Sequence, residues 1–347
     1  MLKAKKLRPG DKVAAVSLSW GGPGTFPERY QIGKQQLQAA FGLEVIETPH
    51  ALADPDWLRK HPEARAADLM DAFADPTMSA IITTIGGDDS IRLLRHLDLG
   101  VIQAHPKVFL GFSDTTVTHL ACFTAGLTSF YGPSIMAGFA ENGGIFSYTA
   151  ESVRRNLFSA QPPGLIAPNL DGWTVEFLDW AIPDNQTRRR QLCPSSGWRW
   201  LQGSGVWQGR LIGGCLEVLE WLKGTAVWPG MDAWQDAILF LETSEEAPPP
   251  SAVVRALRSY AAMGIVDRLA GVLFGRPGGQ TPVDEWGAYD AAILQVIRDE
   301  QGRDDLPVVS RMDFGHTDPT MVLPYGVLAR LDCDQQQLVI LENVVVD

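Results

Sequence analysis

The chain has 347 residues, 45% of them hydrophobic and 20% charged, which suits a globular protein long enough for two packed domains. A net charge of -12 with no basic stripe argues against nucleic-acid binding and disfavours adhesion to an anionic membrane. The basic start, Met1 to Lys6, leads only into Pro9-Gly10-Asp11 and the short apolar run Val13–Val16. That run is too short for the apolar core of a leader, so none is expected; no stretch reaches the roughly 18 to 20 apolar residues of a membrane span, and the expected location is the cytoplasm.

In chain order, residues 1–160 alternate short apolar runs with amphipathic stretches. Strands are predicted at Lys12–Ser17, Ala80–Ile85, Lys107–Phe112 and Thr128–Tyr131, and helices at Glu28–Ala40, Pro62–Ala74, Asp88–Leu97 and Thr115–Ala125. In the third helix Asp88, Asp89 or Ser90 is the expected cap. Such alternation implies α/β architecture: a mainly parallel sheet flanked by helices. From Gln161 to Gly205 the texture changes to proline, tryptophan and arginine with little periodicity, and this segment is read as a crossover overhanging a site. Eight of the eleven tryptophans fall between Trp173 and Trp234.

Residues 206–347 read as a second α/β domain with mixed β-structure. Its strands are predicted at Ala237–Glu242, Leu269–Phe274 and Pro307–Arg311, with a closing hairpin of Val327–Asp332 and Gln337–Glu342. Helices fit Leu216–Lys223, Ser251–Met263 and Trp286–Glu300. Cys122, Cys193, Cys215 and Cys333 are scattered without a CxxC pair, so reduced, buried thiols are expected.

Four segments carry candidate chemistry. In Lys107–Thr116 an apolar strand runs through Gly111-Phe112-Ser113 straight into a helix pattern. A serine on such a turn exposes its hydroxyl at the carboxyl edge of a sheet, beside the N–H groups of the new helix. Thr115 stands where the usual nucleophile turn has a second glycine, and a simple helix-capping role for Ser113 or Asp114 is the alternative. Thr83–Ser90 is a second strand-to-helix junction, where the Gly86–Gly87 amides offer oxyanion donors or merely a tight turn.

A serine nucleophile needs a base. Of six histidines, His316 alone sits at a strand end opening into a loop, where functional side chains gather in open α/β sheets. His50 and His61 lie in polar connections, and His96, His105 and His119 in or beside helix patterns. Glu242 closes a five-residue apolar run, while Glu245 and Glu246 read as solvated charges. Glu217, Glu220, Asp114, Asp313 and Asp318 compete with Glu242 to orient the imidazole, and spacing does not choose among them. There is no H-E-x-x-H, no close histidine pair and no cofactor fingerprint, so neither metal nor cofactor is expected.

Together, Ile85-Gly86-Gly87-Asp88, Gly111–Thr116, Leu239–Glu245 and Phe314-Gly315-His316 resemble the LD-carboxypeptidase family of serine peptidases, over essentially the whole chain. The resemblance implies a triad of Ser113, Glu242 and His316, separated by 129 and 74 residues. It also implies oxyanion donors from the backbone of Asp114 and the Gly86–Gly87 turn, an interdomain cleft, a homodimer and no metal. Gly144–Thr149 with Glu176–Trp180, and Trp198–Gly205 with Gly209–Cys215, look like the microcin C immunity branch. Cell-wall members tend to carry Gly-Gly-Asn where this chain has Gly213-Gly214-Cys215. The implied substrate is an aminoacyl-nucleotide conjugate, its base stacked on Trp180 or Trp173, with no nucleic-acid polymer and no membrane as partner. Murein tetrapeptide cleavage and a non-catalytic small-ligand-binding role are the alternatives.

Overall fold

The computed structural model describes residues 1–347 and contains two sheets. The first uses β1 (Lys12–Val16), β2 (Glu44–Glu47), β3 (Met78–Thr83), β4 (Val108–Gly111) and β5 (Phe130–Tyr131), in the order β2-β1-β3-β4-β5. All of these pairings are parallel. Every residue of β4 is buried, as expected of a central strand covered on both faces. Helices at Pro27–Phe41 and Pro62–Ala74 each begin with proline at the first helical position, where its missing N–H costs nothing.

The second sheet contains β6 (Gly164–Ile166), β7 (Arg199–Gln202), β8 (Val206–Cys215), β9 (Ala237–Glu242), β10 (Gly271–Gly275) and β11 (Val308–Met312). From β11 the chain crosses to the first sheet, where β12 (Leu323–Pro324) pairs antiparallel with β5. It then returns as the hairpin β13 (Leu328–Asp332) and β14 (Gln337–Ile340). The second sheet runs β6-β14-β13-β8-β9-β10-β11-β7, parallel only from β8 to β11. The expected α/β class, with one mainly parallel and one mixed sheet, is what the chain adopts. No helix is long and apolar enough to cross a membrane.

Several local expectations need correction. The segment predicted as a helix at Asp88–Leu97 is a 3₁₀ stretch, Ser90–His96, without a side-chain cap. Asp89 is drawn instead to buried Arg65 and to Arg92, and Ser90 to Asp114, so the first turn lacks its anchor. The crossover contributes β6 and β7 to the second sheet, and edge strand β2 was not legible because two glutamates flank its only two apolar residues. Trp286–Glu300 is α-helical to Leu294 and π-wound beyond. All four cysteines are free, but only Cys122 and Cys215 are buried.

His119 lies wholly inside, its ring stacked on Tyr325 at 4.9 Å. Its Nε2–H donates to the Gly111 carbonyl at 2.9 Å, so Nδ1 accepts from the Ser129 hydroxyl at 2.8 Å. Burial pushes this imidazole down to about 3, from an ordinary value of 6.5. The unfolded chain therefore binds a proton that the folded chain refuses. Stability from this group is complete above pH 6.5 and declines as pH falls, by about 2 kcal/mol between pH 7 and pH 5. Urea unfolding at those two pH values is expected to show His119→Gln losing that share of the wild-type pH dependence; an identical dependence contradicts the assignment.

Candidate active site

Ser113 lies one residue beyond β4, after Phe112, and takes a left-handed backbone, φ 63°. For a residue with a side chain this costs about 1–2 kcal/mol. Local bonds offset the cost: the Ser113 N–H donates to the Tyr131 hydroxyl at 3.0 Å, and the Thr116 hydroxyl donates to the Ser113 carbonyl at 2.8 Å. Thr115 fits the tight turn because its hydroxyl folds back onto the Phe112 carbonyl. Neither Ser113 nor Asp114 caps the helix Thr116–Thr124 through its side chain. Asp114 instead receives the Ser90 N–H at 2.9 Å, and burial raises the pKa of its carboxyl.

The Ser113 hydroxyl meets the imidazole of His316, with Oγ 3.1 Å from Nε2. On the far side of the ring, Nδ1 lies 2.7 Å from Glu242 Oε2. Glu242 ends β9 and is fully buried. Its other oxygen, Oε1, accepts from the Tyr131 hydroxyl. Residue 315 must be glycine for His316 to reach this position: φ is +94°, and a Cβ there would lie 2.7 Å from Glu242 Oε2.

The competing carboxylates are committed elsewhere. Glu217 accepts from Ser244, Glu220 pairs with Lys223, Asp313 with Arg276, and Asp318 with Arg190. The Arg276–Asp313 pair is buried and anchors the start of the His316 loop. Asp313 also accepts from the Trp198 indole at 2.6 Å and the Asn169 N–H at 2.9 Å, tying the crossover to that loop.

The Gly86–Gly87 turn abuts the serine: a Cβ on Gly86 would lie 2.9 Å from Ser113 Cβ and 3.0 Å from its Oγ. Neither the Gly86 nor the Gly87 N–H donates to another group of the protein. Trp20 donates its N–H to the Gly86 carbonyl at 3.1 Å and begins an aromatic row. Its ring is 6.0 Å from Phe26, which is 5.7 Å from Trp180. Trp180 is half-buried, with the Arg29 guanidinium 4.8 Å above its ring. Trp173 is 5% exposed, packed against Trp286, with its indole N–H on the Pro194 carbonyl, which leaves it no open face for stacking.

Two residues with a place in this cluster escaped the sequence reading. Tyr131, at the end of β5, was read only as the last residue of a strand; the carboxyl-edge position that marks His316 marks it too. Glu245 is the solvated charge it was read as, its side chain 73% exposed, yet it also places Oε2 3.0 Å from His316 Nε2, a contact the sequence reading did not anticipate. Burial disfavours the imidazolium, but Glu242 and then Glu245 outweigh that, and His316 holds its proton well above the ordinary range. Glu245 itself is held well below the ordinary carboxylate range by its bond to His316. Removing the Glu245 charge is therefore expected to let His316 deprotonate at lower pH. Imidazole chemical shifts followed through a pH titration check this in Glu245→Gln; a midpoint equal to wild type contradicts it.

The LD-carboxypeptidase N-terminal domain matches residues 13–132 and the C-terminal domain residues 208–331. A putative carboxypeptidase of Vibrio cholerae is 29% identical, with 96% of each chain aligned. The microcin C7 self-immunity protein MccF of Escherichia coli is 28% identical over 99% of this chain and 96% of its own. Among solved structures, an MccF-like protein from Streptococcus pneumoniae in complex with AMP has a TM-score of 0.86 and 32% identity, over 96% of this chain and 99% of that one. MccF in complex with glutamyl sulfamoyl guanosine has a TM-score of 0.83 and 26% identity, over 99% and 100%. The two domain matches in order, and relatives aligned nearly end to end, make this chain a member of the LD-carboxypeptidase family and a serine-type peptidase.

Proposed function

We propose that this peptidase cleaves the acyl–nitrogen bond of aminoacyl-nucleotide conjugates, using Ser113, His316 and Glu242 as its triad. The observation that carries the reading is the position of His316, within hydrogen-bonding reach of Ser113 Oγ on one side and Glu242 on the other. In this reading residues 1–160 supply the nucleophile, residues 206–347 the acid and the base, and residues 161–205 cover the cleft between them.

The reaction runs through an acyl-enzyme. With His316 neutral, Nε2 takes the Ser113 proton as Oγ attacks the acyl carbon, while Glu242 stabilises the imidazolium that forms. The amides of Asp114 and of the Gly86–Gly87 turn receive the developing oxyanion; the two glycine N–H groups are free to do so. Nε2–H then passes its proton to the departing nitrogen and the carbon–nitrogen bond breaks. Water, deprotonated by the same imidazole, attacks the acyl carbon, and Nε2 returns that proton to Ser113 Oγ as the ester bond breaks and the acid leaves.

Two observations favour a nucleotide conjugate over a murein peptide. The aromatic row Trp20–Phe26–Trp180 leads outward from the glycine turn, giving a base a surface to stack on. Among the similar structures, an MccF-like protein is in complex with AMP, and MccF is in complex with glutamyl sulfamoyl guanosine and with aspartyl sulfamoyl adenosine. Stacking of one base on an indole is worth about 1–3 kcal/mol.

Two outcomes follow for purified protein given an aminoacyl-sulfamoyl adenosine. Ser113→Ala is expected to lower kcat/KM at least about a thousandfold, and unchanged turnover refutes the nucleophile. Trp180→Ala is expected to lower kcat/KM roughly 5- to 100-fold for that substrate. If wild-type protein cleaves a murein tetrapeptide but not the conjugate, the substrate assignment falls.

A further inference from the structure

We infer that Tyr131 is a positioning residue of the active centre, its hydroxyl setting Ser113 and Glu242 in register across the two sheets. The inference rests on the triad proposed above and adds to it a fourth side chain that never touches the substrate.

The geometry leaves the hydroxyl one orientation. A backbone N–H can only donate and a carboxylate can only accept, so the Tyr131 oxygen accepts from Ser113 and its proton goes to Glu242 Oε1. Tyr131 is 1% exposed at the end of β5, in the first sheet, and Glu242 ends β9 in the second. The surrounding groups do not substitute for it. His119 is committed to Gly111 and Ser129, Tyr325 donates to the Gly213 carbonyl, and Cys215 Sγ turns toward Glu217. Burial, followed by the nearby Glu242 charge, keeps the phenol protonated far above its ordinary range, so it serves as a fixed donor and not as a base.

One oxygen thus does two jobs. It satisfies the N–H of a residue held at φ 63°, and it occupies Oε1 so that Oε2 is left for the imidazole. Deleting it unpairs a buried N–H and a buried carboxylate oxygen together. A carboxylate deprived of that donor concentrates its charge on His316, which then keeps its proton to higher pH. Of the charged groups facing the imidazole, Glu242 is changed directly and Glu245 is untouched.

The test compares Tyr131→Phe with Tyr325→Phe, which removes an equally buried hydroxyl bonded to a carbonyl of β8. The readouts are the His316 titration midpoint, followed by imidazole chemical shifts, and steady-state kinetics on an aminoacyl-sulfamoyl adenosine. Tyr131→Phe is expected to raise the midpoint by about half a pH unit or more. It is also expected to lower kcat about 10- to 100-fold with KM within about twofold of wild type. Tyr325→Phe is expected to move neither.

A Tyr131→Phe protein that is merely less stable, with midpoint and kcat unmoved, overturns the inference. If that variant does not fold, 3-fluorotyrosine at position 131 keeps both bonds and strengthens the donor. The midpoint is then expected to fall, and no change overturns the inference equally. Loss of turnover in Ser113→Ala alongside a normal Tyr131→Phe sinks this inference alone, whereas an active Ser113→Ala sinks the triad on which it rests.

Discussion

Everything at this site depends on holding one imidazole between groups from opposite halves of the chain. The topology imposes that constraint directly. His316 lies on the connection leaving β11 of the second sheet, and the same connection enters β12, which pairs with β5 of the first. The His316 loop is therefore stapled to both sheets within a few residues on either side. Glu242 at the end of β9 and Tyr131 at the end of β5 complete the closure, and the short reach from Ser113 Oγ to Nε2 follows from it.

Buried charge is the second organising feature, and it is arranged in ion pairs. Arg276 with Asp313 fixes the base of the His316 loop, and Arg190 bridges Glu141 and Asp318 across the crossover. Breaking one partner of such a pair costs about 3–5 kcal/mol, because the other is left charged and unpaired. The crossover, irregular over most of its length, is thus held by specific ionic and indole contacts more than by regular structure. Placement of the His316 loop and placement of the crossover become a single problem in the energetics of folding.

How much of this was legible in the sequence varies with the range of the interaction. Strands such as β4 and β9 announce themselves because a strand buried on both faces reads as an uninterrupted apolar run. The turns after β4 and β3, which carry Ser113 and the Gly86–Gly87 pair, are legible for the same local reason. Distant pairings were not legible. Glu242 could not be separated from its competitors until each was seen bonded elsewhere, and nothing nearby in sequence shows that the exposed Glu245 lies beside His316. Of the capping residues expected at 88–90, Asp89 and Ser90 were diverted by Arg65 and Asp114, each 24 residues away in the chain. Local propensity gave way wherever a buried ionic group needed a partner.

The central claim, a serine at position 113 that carries the acyl group through the reaction, is tested most directly by catching the intermediate. Protein mixed with an aminoacyl-sulfamoyl adenosine, quenched in acid within milliseconds and digested, is analysed by peptide mass. The account predicts a mass increment equal to the acyl residue on the peptide that contains Ser113. Turnover with no such adduct at any quench time, or with the adduct on another residue, contradicts it.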